Sequence, residues 1–94
     1  MNFRQLTDSI NQFRESTGQY PCSCILHYED YLTLTQQENA KLYLEIETSR
    51  ELLRNGIVAY FKPVPVTLIM SRVVSPGVVL CLDELRHLER LGFK

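Results

Sequence analysis

The chain has 94 residues, of which 45% are hydrophobic and 22% are charged, and its formal net charge is −1. This composition is that of a globular domain and excludes wholesale disorder. The near-neutral balance also excludes a global field that would recruit nucleic acid or an acidic membrane. The length suits one domain with a small core, so we expect a single domain over residues 1–94.

The first element is predicted to be an amphipathic helix over residues 3–16. Four apolar residues recur there at spacings of three and four, namely Phe3, Leu6, Ile10 and Phe13. This spacing places them on one face of a helix. Gly18 can take the left-handed conformation that ends a helix, and Pro21 prevents the helix from resuming.

A short strand over Cys22–Leu26 follows the helix. Side chains alternate across a strand, so two sets of residues are expected on opposite faces. One set is Cys22, Cys24 and Leu26, and the other is Ser23, Ile25 and His27.

The middle of the chain fits two structures. A capping box at Thr35-Gln36-Gln37-Glu38 favours one helix from about 36 to 54, ending at Asn55-Gly56. Against it, Leu42–Ile46 alternates like a strand, and a second capping box at Thr48-Ser49-Arg50-Glu51 would begin a shorter helix. We favour the single helix and keep the strand as the alternative.

The last third is predicted to be rich in strands. Three β-rich runs occur there, at Ile57–Phe61, Val66–Met70 and Val78–Leu82. Pro63 and Pro65 lack ladder donors and mark a turn or a blunted edge, and Ser75-Pro76-Gly77 marks another turn. Asp83 would cap a short closing helix. Together the elements predict an α+β fold, a small three- to four-stranded sheet with two or three helices packed on one face.

Two segments resemble tailed-bacteriophage major capsid proteins and small stand-alone phage proteins. Tyr20-Pro21 through His27-Tyr28-Glu29-Asp30-Tyr31-Leu32 is similar to their pattern of a strand that leads into an Asn/His-Pro-x-Asp-aromatic helix start. Pro65-Val66 and Val74-Ser75-Pro76-Gly77 through Leu82 are similar to their closing strand, proline–glycine turn and hydrophobic strand. The chain is far too short to build a capsid shell. The resemblance therefore implies a phage or prophage origin without a capsid role.

The soft metal ligands of the chain do not form a zinc motif. They are Cys22, Cys24, Cys81, His27 and His87. Zinc knuckles use a Cys-x2-Cys spacing, which Cys22-x-Cys24 lacks, and Cys81 stands alone. We expect these cysteines to act as small buried hydrophobes, and we expect no metal or cofactor.

Catalytic motifs are also weak. Cys81 and His87 are the one arrangement for a Cys–His dyad, but the acids next to Cys81 would disfavour a thiolate. The adjacent carboxylates Glu29-Asp30 and Asp83-Glu84 fall at apparent helix starts, where they complement the helix dipole. The four glycines do not form a phosphate loop. We therefore expect that the chain is not an enzyme.

Protein binding is the function class that the residues favour. The chain has five tyrosines and no tryptophan, and tyrosine is a favoured interface anchor. Tyr28 and Tyr31 lie one turn apart beside Glu29 and Asp30 and would form an acidic, aromatic surface. We predict that these four residues contact a protein partner, a bacterial host factor that the chain inhibits or redirects.

Two alternatives use other parts of the chain. An accessory assembly protein would self-associate through an exposed edge strand as a homo-oligomer. A weak nucleic-acid binder would use Arg86, Arg90 and Lys94, which recur every four residues, although three or four phosphate contacts bind only weakly.

The expected location is the cytoplasm, which is the host cytoplasm for a phage-encoded chain. The amino terminus has no apolar signal region, and no apolar run approaches the ~18 residues that would span a bilayer. Three cysteines are an odd number, which argues against a closed disulfide framework and for a reducing compartment.

Overall fold

The computed structural model describes residues 1–83, and these residues form one five-stranded sheet with four helices. The elements in chain order are α1 (Phe3–Thr17), β1 (Ser23–His27), α2 (Tyr28–Thr35), α3 (Ala40–Tyr43), β2 (Leu44–Ile46), α4 (Arg50–Arg54), β3 (Ile57–Phe61), β4 (Val66–Ser71) and β5 (Val79–Leu82). The α+β class is confirmed, with five strands instead of three or four.

Helix α1 begins and ends on local signals. The amide of Gln5 donates to Asn2 Oδ1 and the amide of Asn2 donates to Gln5 Oε1, each over 2.9 Å, which completes a capping box. Gly18 ends the helix at φ 83°, and its amide donates to the Arg14 carbonyl over 2.7 Å. The predicted helix and its glycine stop are confirmed, whereas the capping box was not predicted.

The sheet is mixed, and β1 is one of its inner strands. The strand order is β2-β3-β4-β1-β5, in which β1 and β4 are parallel and all other neighbours are antiparallel. Cys24 and Leu26 pack in the main core with α1 and α2, whereas Ile25 packs on the opposite face. The predicted alternation of β1 is therefore confirmed for these three residues.

Each face of the sheet carries an apolar cluster. The main cluster is built by α1 and α2 on one face, with Phe3, Leu6, Ile10, Tyr31 and Leu34 among its members. The second cluster is Ile25, Ile57, Ile69 and Leu82, and Leu52 of α4 packs against it. The helices therefore do not all lie on one face, because α4 contributes to the opposite one.

The single helix predicted from about 36 to 54 is wrong, and the alternative is correct. Residues 44–46 form β2, which pairs antiparallel with β3 through Leu44↔Phe61 and Ile46↔Ala59. Leu44 is buried, but Leu42 is 74% exposed and Ile46 is 53% exposed. The apolar stripe of the predicted helix therefore has no core to cover, and pairing with β3 decides the structure.

The two predicted capping boxes in this region are also absent. Thr35 is the last residue of α2, and its hydroxyl donates to the Leu32 carbonyl over 2.7 Å. Helix α4 begins at Arg50, where Ser49 makes no side-chain capping bond. Instead Glu47 Oε1 accepts from the amides of Thr48 and Ser49, each over 2.9 Å.

Pro63 and Pro65 lie in a turn and do not blunt an edge. Residues 62–65 connect β3 to β4, which are neighbours inside the sheet, and among the described strands the edges are β2 and β5. The predicted strands over 57–61, 66–70 and 78–82 are confirmed to within one residue at each end. The closing helix predicted after Asp83 lies outside the described residues.

Gly56 provides a test of the packing between α4 and β4. Its φ is +84°, and a Cβ at this position would lie 3.1 Å from the Met70 carbonyl oxygen. We expect Gly56→Ala to lower the free energy of unfolding by about 2–3 kcal/mol, because the contact adds to the strain of a left-handed L-residue. Chemical denaturation measures this change.

Gly18→Ala is the matched control. Gly18 has nearly the same φ, +83°, but a Cβ there would meet nothing within 4 Å. Gly18→Ala should lower the free energy of unfolding only by the backbone strain, about 1–2 kcal/mol. Equal losses for the two variants would contradict a specific role for the approach of Gly56 to β4.

The Glu47–Tyr60 pair predicts a pH dependence of stability. The Tyr60 hydroxyl donates to Glu47 Oε2 and, with the Ser49 and Thr48 amides, lowers the pKa of Glu47 below 4.5. A lowered carboxyl pKa contributes stability above the unfolded pKa, and this stability is lost as pH falls through the folded pKa. The same bond raises the pKa of Tyr60 above 10, so its contribution is fully present below pH 10 and is lost as pH rises through the raised pKa of the folded state.

Tyr60→Phe should move the Glu47 pKa back toward 4.5. The free energy of unfolding of this variant should therefore fall less steeply as the pH decreases. NMR titration of the Glu47 carboxyl and denaturation between pH 2 and 7 measure the two effects. The control is Tyr43→Phe, since the Tyr43 hydroxyl has no hydrogen bond among the described residues. A Glu47 pKa that is unchanged in Tyr60→Phe would contradict the assignment.

Candidate functional site

The carboxyl ends of β1 and β4 define the edge at which the candidate site lies. The two strands run parallel, and their last residues, His27 and Ser71, are register partners. The segments that leave them, α2 and the loop over residues 72–78, therefore begin side by side. Crevices at the carboxyl ends of parallel strands are common binding positions.

An aromatic and charged cluster occupies this edge. The Arg72 guanidinium lies 5.3 Å from the centroid of the Tyr28 ring, in cation–π geometry. The rings of His27 and Tyr28 are 4.8 Å apart, and the Tyr28 hydroxyl lies 3.4 Å from Glu29 Oε1. We call His27, Tyr28, Glu29, Arg72 and Val73 the Tyr28 surface.

Local hydrogen bonds hold this surface in place. His27 is the N-cap of α2, and its Nδ1 accepts from the Glu29 amide over 3.2 Å. On the loop side, the Val73 amide donates to the Ser71 hydroxyl over 3.0 Å. Val73 is 93% exposed, so a large apolar side chain projects into solvent beside Arg72. Arg72 and Val73 were not predicted as site residues, because their position next to Tyr28 follows from strand pairing.

Asp30 was predicted to contact a partner, but it is buried at 8% exposure and binds the chain itself. Its Oδ2 accepts from the Gly77 amide over 2.7 Å, and its Oδ1 lies 3.9 Å from the α-amino group of Met1. The hydrogen bond from Gly77 to Asp30 fastens the 72–78 loop to the first turn of α2.

Tyr31 is also buried, at 9% exposure, and belongs to the main core. Its hydroxyl lies 3.4 Å from the Val58 carbonyl, and desolvation raises the pKa of the phenol. Of the four residues predicted to form one acidic, aromatic surface, the structure leaves Tyr28 and Glu29 accessible and places Asp30 and Tyr31 inside.

Cys24 is buried in the main core, as expected, whereas Cys22 and Cys81 are half-buried. Cys24 and Cys81 are direct cross-strand partners, and their sulfur atoms are 3.5 Å apart. A hydrogen bond from Cys24 lowers the pKa of the Cys81 thiol, whereas the expectation from the neighbouring acids was the reverse. This pair was not predicted, because 57 residues separate its members.

Other candidate groups give no further site in the described part of the chain. Within residues 1–83, no group of three or more His, Cys, Asp or Glu side chains could hold a metal ion. Glu29 and Asp30 lie in the first turn of α2, as expected for a helix start. Several predicted residues lie outside the described ones, namely His87 of the dyad, Glu84, and the nucleic-acid candidates Arg86, Arg90 and Lys94.

Comparison with known proteins adds no relative. No family model, curated protein or solved structure matches this chain. Among the described residues, no helix is both long enough and apolar enough to cross a membrane.

Substitution of Asp30 tests how the loop is held. Asp30→Ala removes the acceptor of the Gly77 amide, so hydrogen exchange at Gly77 should become faster. The loss of a charge-assisted bond should also lower the free energy of unfolding by about 1–3 kcal/mol. Amide exchange by NMR and chemical denaturation measure the two effects.

Glu29→Ala is the matched control, since Glu29 is the other acid in the first turn of α2 and makes no bond to Gly77. It removes a similar interaction with the helix dipole. Exchange at Gly77 that stays slow in Asp30→Ala, or that rises equally in Glu29→Ala, would contradict the fastening role of Asp30.

Proposed function

We propose that this chain is a small non-catalytic protein that binds another protein through the Tyr28 surface. The observation that carries the proposal is the stacked Tyr28–Arg72 pair beside the exposed Val73. Tyrosine and arginine are enriched among residues that dominate binding energy, and an adjacent aliphatic side chain supplies apolar area to bury.

Preorganisation supports this proposal. Tyr28 is the first residue of a capped helix, and Arg72 directly follows the last residue of β4. The bond from Gly77 to Asp30 restrains the loop that carries Arg72 and Val73. A surface that is ordered before binding loses less entropy when the partner docks.

The charges of the Tyr28 surface indicate which charges a partner would carry. Glu29 is exposed on one side of Tyr28, and Arg72 lies over the ring. A partner that carries both an acidic and a basic group around an apolar patch would complement it. The resemblance to phage proteins makes a bacterial host factor, inhibited or redirected by binding, the partner that we propose. The phage or prophage origin rests on that resemblance and stays a prediction.

Capture from bacterial lysate with single-residue variants tests the function. We expect one host protein to be retained by the tagged wild-type chain after a high-salt wash. Tyr28→Ala and Arg72→Ala should each weaken its binding about tenfold or more, because they remove the central stacked pair. Isothermal titration with the purified partner gives the affinities. Tyr31 is unsuitable for this test because its removal would open the core.

Tyr20→Ala is the matched control. Tyr20 forms the same kind of pair with Arg14, whose guanidinium lies 4.5 Å from the ring centroid. It should retain the partner with wild-type affinity. A partner lost in Tyr20→Ala and kept in Tyr28→Ala would move the site to α1 and contradict the proposal.

Self-association is the second candidate function, and one feature favours it. Among the described strands, β5 is an edge, and Val78 and Leu80 at that edge are about half-exposed. Exposed apolar edge strands pair with other chains. Recovery of the chain's own copies alone, with a mass that rises with concentration in light scattering, would favour this function over host binding.

A further inference from the structure

The cysteine pair between β1 and β5 lies in a geometry that suits a disulfide. Cys24 and Cys81 are direct register partners on antiparallel strands. The Cα atoms of such partners are about 4.5–5.5 Å apart, within the range that disulfides span. Their sulfur atoms are already 3.5 Å apart, and a bond of about 2.05 Å needs only side-chain rotation.

Only one of the two thiols faces an entrance. Cys24 is completely buried in the main core, whereas Cys81 is half-buried. Cys81 lines a surface depression of about 300 Å³ together with polar residues of α1, namely Ser9, Gln12 and Ser16. A small reagent can therefore reach Cys81 first, with Cys24 directly behind it.

The electrostatics agree with this order. The hydrogen bond between the thiols, with burial, raises the pKa of Cys24, and the same bond lowers the pKa of Cys81. The thiolate is the attacking species in exchange reactions, so Cys81 is the better first nucleophile.

We propose that Cys24 and Cys81 form a thiol–disulfide exchange site that reacts reversibly with low-molecular-weight disulfides. The Cys81 thiolate attacks one sulfur of the reagent, whose disulfide bond breaks and releases one thiol. Cys24 then loses its proton and attacks the Cys81 sulfur of the mixed disulfide, which releases the second thiol. Two protein thiols are oxidised to one cross-strand disulfide, and one reagent disulfide is reduced to two thiols that carry the two protons.

Equilibration of the native chain in glutathione buffers of graded redox ratio tests the site. After acid quench, denaturation and alkylation, mass spectrometry should show that the number of alkylated cysteines falls from three to one, with Cys22 still alkylated. Peptide mapping should find the Cys24–Cys81 bond. The oxidised chain should melt roughly 10 °C higher, since the bond closes a long loop, and dithiothreitol should reverse the shift.

Three variants make the test specific. Cys22→Ser should oxidise as the wild type does, because Cys22 lies two residues before Cys24, outside β1, and Cys24 is the register partner of Cys81. Cys81→Ser should form neither the bond nor a mixed disulfide on Cys24, and Cys24→Ser should stop at glutathionylated Cys81. The wild type and Cys22→Ser decide the question even where Cys24→Ser does not fold.

Three results would overturn the proposal. One is a wild-type chain that keeps all three thiols in oxidised glutathione. Another is a disulfide that includes Cys22. The third is a product that consists only of chains linked to one another.

Discussion

The parallel pairing of β1 with β4 is the interaction on which the rest of the structure depends. It joins Ser23–His27 to residues 67–71 and leaves the other edge of β1 for β5. Because the strands are parallel, α2 and the 72–78 loop leave the sheet at the same end. The Tyr28 surface exists because of this alignment, and the cysteine pair exists because β5 takes the remaining edge.

Residues Tyr28 to Tyr31 show how one short segment serves both surface and core. Tyr28 stacks with Arg72 outside, and Tyr31 fills the core beneath α2. Asp30 joins the two by holding Gly77. The segment therefore places the half-buried Tyr28 ring at the surface and fixes the loop beside it, so the geometry of the surface depends on buried groups that a partner never touches.

The sequence predicted those elements whose signals are local. The apolar spacing of α1 with its glycine stop, the run over 57–61 and the alternation of β1 are each decided by a few neighbouring residues. The prediction for the middle of the chain was wrong because the stripe of Leu42, Ile46 and Leu53 fits a helix as well as the local alternation fits a strand. Only pairing with β3 makes residues 44–46 a strand. Local patterns carry no information about that partner.

The candidate site was predicted only in part for the same reason. Tyr28 and Glu29 could be singled out by composition and position. The role of Asp30 needs Gly77, which lies 47 residues away, and the cysteine pair spans 57 residues. Arg72 next to Tyr28 likewise follows from the register of β1 with β4. A single sequence shows which residues could form a site, but it does not show which residues the strand pairing brings next to them.

The position of β1 in the sheet also has a consequence for how the chain folds during synthesis. Both hydrogen-bonding neighbours of β1 come after it, since β4 ends at Ser71 and β5 at Leu82. A ribosome therefore releases β1 with both of its edges unpaired, and the chain must emerge through residue 71 before β4 can cover the first edge. Such late, long-range pairing slows folding and leaves a nascent apolar strand open to chaperones or to a second nascent copy.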